Sequence, residues 1–168
     1  MQSEGIEILL VEDNPSDLEL ALHALRHNCV ANSIHVARDG EEALDFIFCR
    51  GPHANRAMSE HPKIILLDLK LPKVDGLEVL RQVKSDGRTR LIPVVMLTSS
   101  KEESDLVASY QLGVNSYIQK PVDFAQFQET VKELGLYWLV VNEVPPAAAT
   151  AGGRREIALG EADASSTR

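Results

Sequence analysis

Ile64-Ile65-Leu66-Leu67-Asp68-Leu69-Lys70-Leu71-Pro72 sets a carboxylate at the end of four consecutive aliphatic residues. Such a run, bounded downstream by turn residues, reads as a strand buried in a parallel sheet. It should end in more core, a turn or a cap; here it ends in an acid. In an open parallel α/β sheet, ligands bind beyond the carboxyl ends of the strands, which is where Asp68 falls. For this residue taken alone, an Asx turn capping the following loop is the everyday alternative. The other strand ends decide between the two.

Upstream, Ile6 to Val11 forms a short apolar strand broken by Glu7 and ending in Glu12-Asp13. Asn14 then suits a helix N-cap, Pro15 the first helical position, and Leu18, Leu22 and Leu25 recur at helical spacing. Ser33 to Ala37 is a second strand. Asp39-Gly40 marks a turn before a second helix, Glu41 to Phe48, with Ala43, Leu44, Ile47 and Phe48 inward. Arg50 to Pro62 is a polar loop without helix or strand period, and the central strand Lys63 to Leu67 follows it.

Downstream, Pro72 and Asp75-Gly76 turn the chain into a third helix, Leu77 to Asp86, with Leu77, Leu80 and Val83 facing the core. Ile92 to Leu97 is a fourth strand ending in Thr98-Ser99-Ser100. Glu102 to Leu112 is a fourth helix stopped by Gly113, and Val114 to Ile118 a fifth strand ending in Gln119-Lys120-Pro121. Asp123 caps a last helix, with Gln126 at the capping-box position and Phe124, Phe127, Val131 and Leu134 along it. Five alternations of strand and helix imply a doubly wound parallel sheet with helices on both faces.

The chain has 168 residues, room for one domain with a proper core. A domain over residues 1–144 and a disordered tail over 145–168, rich in Ala, Gly, Ser and Thr, follow from composition. A net charge of -8 argues against nucleic acid and anionic membrane as partners. Cys29 and Cys49 make no disulfide framework, and no signal peptide or membrane span is evident, so the cytoplasm is the expected compartment.

The expected sheet edge gathers Glu12 and Asp13 from strand one, Asp68 from strand three, Thr98 from strand four and Lys120 from strand five. Three carboxylates in one cleft raise each other's pKa unless a cation compensates, and a hard oxygen-liganded ion such as Mg²⁺ fits them. Lys120 adds a point charge suited to an anion, and Thr98 a hydroxyl. Together these parts describe phosphoryl transfer onto a carboxylate, with Asp68 as nucleophile and the cations neutralising the equatorial oxygens. Each residue has a plain alternative: a helix start for Glu12-Asp13, a helix cap for Thr98, a loop for Lys120-Pro121. All of them holding together at the ends of the right strands is a far rarer coincidence.

Val11-Glu12-Asp13-Asn14, Leu66 through Gly76, Met96-Leu97-Thr98-Ser99 and Tyr117-Ile118-Gln119-Lys120-Pro121 resemble the receiver domain of two-component response regulators. The resemblance covers about residues 5 to 142. It implies the flavodoxin-like strand order 2-1-3-4-5. It also implies Asp68 as phosphoacceptor, and Glu12, Asp13, Asp68 and the backbone carbonyl of Lys70 as Mg²⁺ ligands. Thr98 would be the switch hydroxyl, Lys120 the phosphate-pairing cation and Tyr117 the rotating aromatic. The phosphodonor would be a sensor histidine kinase. Three features narrow the resemblance to the small single-domain regulators paired with bacterial phytochrome kinases: the long loop Arg50 to Pro62, the pattern Leu91 to Lys101, and the helix end Leu136 to Val141 followed by Pro145-Pro146.

The apolar run Leu136 to Val141 exceeds what one helix face buries, and suggests a homodimer contact through the last helix and C-terminal arm. Lys70 directs a positive charge towards the site entrance, with an expected influence on water attack. Cys49, His53 and His61 match no compact zinc pattern and read as surface loop. His23 and His27, four apart on the first helix, read as an exposed face near where a kinase docks, with a metal pair or phosphodonor as the weaker alternatives. A haloacid-dehalogenase-type phosphatase would need a second Asp where Lys70 stands, and a flavin carrier would need a phosphate loop where Glu12-Asp13 repels anions. A receiver-fold interaction module without phosphorylation is the remaining alternative.

Overall fold

Aliphatic residues at every position of Ile8–Val11 (β1), Ile64–Leu67 (β3) and all but the last of Val94–Thr98 (β4) leave these strands no polar face, and all three are buried throughout. Strands of that kind belong in the middle of a sheet. Ile34–Ala37 (β2) and Ser116–Gln119 (β5), partly exposed, take its edges. In the computed structural model, which describes residues 7–27, 33–121, 123–143 and 145, the order is β2-β1-β3-β4-β5 with every pairing parallel. This is the expected flavodoxin-like order.

Five helices follow the strands: Pro15–His27 (α1), Gly40–Ile47 (α2), Gly76–Ser85 (α3), Glu103–Gln111 (α4) and Phe124–Leu136 (α5). The period of two in the strands divides the core. Leu9, Val11, Ile65, Leu67, Val94 and Met96 pack with α2 and α3 on one face. Ile8, Leu10, Ile64, Leu66, Val95 and Leu97 pack with α1 and α5 on the other. Four helix starts follow their caps: Asn14, Asp39, Asp75 and Asp123 each accept a backbone N–H three residues on, at 2.8–3.0 Å. At the amino end of the sheet Lys84 Nζ donates to Arg90 O, Ile92 O and Asn115 Oδ1 at 2.9–3.1 Å, and burial pushes its pKa down to about 8.

Several expectations need correction. In α2 the inward aromatic is Phe46, buried to 1% exposure, while Phe48 is only partly covered. The reason is the segment after it. Residues 50–62 are not a plain surface loop: they begin with a 3-10 turn, Gly51–His53, and fold back on α2. The Arg56 guanidinium lies 3.6 Å over the Phe46 ring and donates to Phe46 O, His35 stacks on the other side at 4.1 Å, and His53 meets both rings edge-on. In α5, Phe124 is 52% exposed, because the buried face runs through Phe127, Val131 and Leu134. The fourth strand starts at Val94 and the fifth at Ser116, two residues later than expected: the Ile92 N–H turns back to Thr89 O and Pro93 has none to give, while the Val114 N–H turns back to Ser109 O.

After α5 the helix widens into a π-type turn, Tyr137–Val141. Trp138 and Leu139 pack onto the core, whereas Leu136, Tyr137, Val140 and Val141 are about half exposed or more. Cys29 and, beyond Pro145, the expected tail lie outside the described residues. Among the described residues no helix is long and apolar enough to cross a membrane.

Candidate functional site

Register builds the site. Val11 pairs with Leu67, so the next residues, Glu12 and Asp68, emerge side by side at the carboxyl edge. Their N–H groups still bond along the sheet, Glu12 to Ala37 O and Asp68 to Val11 O, both at 3.0 Å. The two carboxylates are thus fixed by strand backbone. Asp13, one residue further, is exposed. Oxygens of Glu12, Asp13 and Asp68 lie within 4.8 Å of one another.

β5 brings the cation. Lys120 N donates to Thr98 O at 2.7 Å, and its side chain crosses the edge of the sheet. There Nζ meets Glu12 Oε2 at 2.5 Å, Asp17 Oδ2 at 2.9 Å and Asp68 Oδ2 at 3.3 Å. The Lys120, Glu12 and Asp68 side chains are all exposed by less than 10%. Burial alone would lower the Lys120 pKa, but the Glu12 bond and the field of Asp68 outweigh it and hold the ammonium well above the ordinary lysine range. Glu12 shows the opposite balance. Burial pushes it up to about 7, with the Asp68 charge adding to the rise and Lys120 opposing it. One lysine therefore leaves this acidic cluster under-compensated.

The remaining oxygen of Asp68, Oδ1, accepts the Leu69 N–H at 2.7 Å, and Glu12 Oε1 accepts the Asn14 N–H at 3.1 Å. Behind Asp68 the loop is clamped by α3: Gly76 N donates to Leu69 O at 2.7 Å, and a Cβ on Gly76 would come within 2.2 Å of Asp68 O. Only glycine permits that approach.

Thr98 is fully buried at the end of β4, its hydroxyl accepting the Ser100 N–H at 3.1 Å. Tyr117 packs inward against the core, and its hydroxyl is sealed without a well-formed hydrogen bond. Ser100 lies near it, but the Ser100 hydroxyl is committed to Asp105 Oδ2 at 2.6 Å. Burial raises the Tyr117 pKa. Lys70 differs from expectation. Its Nζ pairs with Asp105 on α4 at 3.6 Å, so the charge is drawn to the α4 side of the entrance.

The structure thus gathers Glu12, Asp13, Asp68 and Lys120 in one cluster, with Thr98 on the neighbouring strand end. Sequence reasoning missed Asp17, which reaches Lys120 from α1. The signal was present: Asp17 sits in the first turn of α1, whose Asn14 cap directly follows Glu12-Asp13. Cys49, His53 and His61 do not join a three-ligand group, and among the described residues that grouping falls to Glu12, Asp13 and Asp68.

A doubly wound sheet with buried acids and a lysine at its carboxyl edge defines a class: α/β proteins that handle phosphoryl groups through a carboxylate and a hard cation. Residues 8–132 match the family model "Response regulator receiver domain", and the chain belongs to that family. Among curated relatives it is 44% identical over 138 residues to the probable methanogenesis regulatory protein FilR2 of Methanothrix harundinacea, covering 82% of this chain and 86% of that one. It is 39% identical over 140 residues to response regulator Rcp1 of Synechocystis, covering 83% and 93%. Among solved structures, the phosphorylated cyanobacterial phytochrome response regulator RcpA aligns with a TM-score of 0.78 at 41% identity, covering 84% of this chain and 99% of that one. The Mn(2+)-bound form of Rcp1 aligns at 0.77 and 37%, covering 83% and 99%. The bacteriophytochrome response regulator AtBRR aligns at 0.66 and 57%, again covering 83% and 99%.

Proposed function

We propose that this receiver accepts a phosphoryl group on Asp68 from the phosphohistidine of a sensor histidine kinase. An Asp68 oxygen attacks phosphorus, the phosphorus–nitrogen bond breaks, and the protonated phosphoimidazole releases neutral imidazole. The observation that carries this reading is Lys120 Nζ at 3.3 Å from Asp68 Oδ2 inside the three-carboxylate cluster. Lys120 then follows the charge from the carboxylate to the phosphoryl oxygens, at little cost in reorganisation.

Glu12, Asp13, Asp68 and the backbone carbonyl of Lys70 would hold Mg²⁺. An all-oxygen donor set suits a hard cation, and the crowding that raises Glu12 is what such a cation relieves. When bound, the ion offsets charge on the transferring phosphoryl group. The Mn(2+)-bound form of the relative Rcp1 supports a divalent ion in this fold.

Kinship with cyanobacterial and bacterial phytochrome regulators supports a phytochrome-type kinase as the donor. Thr98 and Tyr117 form the switch in this reading. The buried Thr98 hydroxyl would leave Ser100 N–H for the phosphoryl oxygens, Tyr117, already packed against the core, would be held there, and the face of α4, β5 and α5 would change for a partner.

The test is intact mass after incubation with Mg²⁺ and acetyl phosphate or a phosphorylated kinase domain. The expected result is one phosphoryl adduct, absent without Mg²⁺ and absent in Asp68→Asn. No adduct with any donor would reduce the chain to an interaction module. The same reading extends to a homodimer through α5 and the half-exposed Leu136, Tyr137, Val140 and Val141. Truncation after Gly135 should lower the sedimentation coefficient to that of a monomer, and an unchanged assembly state removes the dimer.

A further inference from the structure

His23 and His27 stand one turn apart on α1, both exposed, with ring centroids 5.2 Å apart and planes 15° from parallel. Histidines at i and i+4 on one helix face are the spacing with which helical motifs present two nitrogens to zinc. Two imidazoles alone make a weak ligand pair; Glu19, one turn before His23, shares a groove with both rings on the side away from α5. Towards α5 the fold supplies a third donor. α5 packs along α1, and the two helices flank a cavity of about 300 Å³ that is lined by His23 and His27 on one side and by Gln128, Glu129 and Lys132 on the other. Glu129 brings a carboxylate into the same space from a residue more than a hundred positions away in the chain.

We propose that His23, His27 and Glu129 form a site for a borderline-soft divalent cation of the Zn²⁺ class, separate from the acidic cluster. Two imidazoles and a carboxylate with water in the fourth position is an established donor set for such ions. Donor chemistry separates the two sites. Imidazole nitrogen favours zinc, nickel and copper, whereas the all-oxygen set of Glu12, Asp13 and Asp68 favours magnesium and manganese. The donors of His23, His27 and Glu129 do not lie together as those of Glu12, Asp13 and Asp68 do. Closing the site therefore requires both rings and the Glu129 side chain to swing until each presents one donor at about 2.1 Å from the ion. His23, His27 and Glu129 are all exposed, so the change of rotamers gives up the His23–His27 stack and no buried contact. Lys132 lines the cavity as well, and its flexible stem lets the ammonium turn out to water. A bound ion would tie α1 to α5.

The test is a calorimetric titration of Zn²⁺ into the full chain at saturating Mg²⁺, in a Cys29→Ser, Cys49→Ser background that removes thiol binding. One equivalent should bind, with the ring resonances of His23 and His27 moving together. Affinity should fall at least tenfold in His23→Gln and in His27→Gln, given that even an outer-shell partner is worth about tenfold to a metal site. Glu129→Gln should weaken binding, and His61→Gln should leave it unchanged. Stabilisation by Mg²⁺ alone, retained in every variant, would show that the fold is intact. Zn²⁺ bound equally well by His23→Gln or by Glu129→Gln, or no binding by the parent, would overturn the site.

Discussion

Replacing Lys120 with methionine keeps most of the stem and removes the one cation that Glu12 and Asp68 share. At 3.3 Å and an effective dielectric of about 20, the Asp68 contact alone is worth about 5 kcal/mol of Coulomb energy. Desolvation of the buried ammonium cancels part of that, and breaking such a cluster costs about 3 kcal/mol net. For a domain of this size that corresponds to a fall in Tm of roughly 6–12 °C. The loss should depend on pH. A carboxyl raised from 4.5 to about 7 contributes stability that is complete below 4.5 and lost as pH rises through 7. Without Lys120 the Glu12 pKa rises further, so the deficit is smaller at pH 6, where parent and variant both hold the Glu12 proton, than at pH 8, where the parent has released it. Saturating Mg²⁺ should recover part of it at pH 8 by replacing the missing charge. The assay is thermal unfolding of parent and Lys120→Met at both pH values, with and without Mg²⁺. Equal deficits at pH 6 and pH 8, unrelieved by Mg²⁺, would refute the view that charge balance among Glu12, Asp68 and Lys120 governs this edge.

Three further outcomes are expected. Mg²⁺ binding by the parent should weaken by about tenfold per pH unit below pH 7, because the ion must then displace the Glu12 proton, and calorimetry at pH 6 and pH 8 would show no difference if Glu12 were already ionised. Gly76→Ala should cost about 3 kcal/mol or more and impair acceptance of the phosphoryl group, since the new Cβ meets Asp68 O at 2.2 Å; denaturation at parental midpoint would contradict that contact. Lys70→Ala should change stability by less than about 1 kcal/mol, as its pair with Asp105 is 3.6 Å long and largely exposed at the Lys70 end, yet should shift the lifetime of the phosphoryl group. An unchanged dephosphorylation half-time would remove Lys70 from any role in hydrolysis.

The strand pattern was legible because β1, β3 and β4 are apolar on both faces, which only a covered parallel sheet explains. Once that sheet is assumed, Glu12, Asp68 and Lys120 converge although Lys120 and Glu12 lie 108 residues apart. Asp17 was harder to find, since its role appears only when a side chain from β5 is laid across α1. Phe46 was misjudged for a different reason. Helical periodicity assigns one inward face, and it has no term for a second layer laid over the helix by residues that follow it. Lys84 gave no signal at all: its three acceptors come from the α3–β4 connection and from the start of β5, and a lone lysine near a helix end reads as solvated.

The segment from Arg50 to Pro62 has one more implication. Its backbone bonds run largely within itself, from His53 to Arg50, Ala54 to Gly51, Arg56 to His53 and Glu60 to Ala57, and Arg56 is the hook that fastens it to α2. A flexible connection costs only about 0.6 kcal/mol more for each doubling of its length. The segment therefore behaves as an exchangeable cassette on the flank of the sheet. Relatives could lengthen, shorten or rewrite it, and so alter what the β2 side presents to other molecules, while the spacing of Asp68 from Glu12 stayed fixed by strand register.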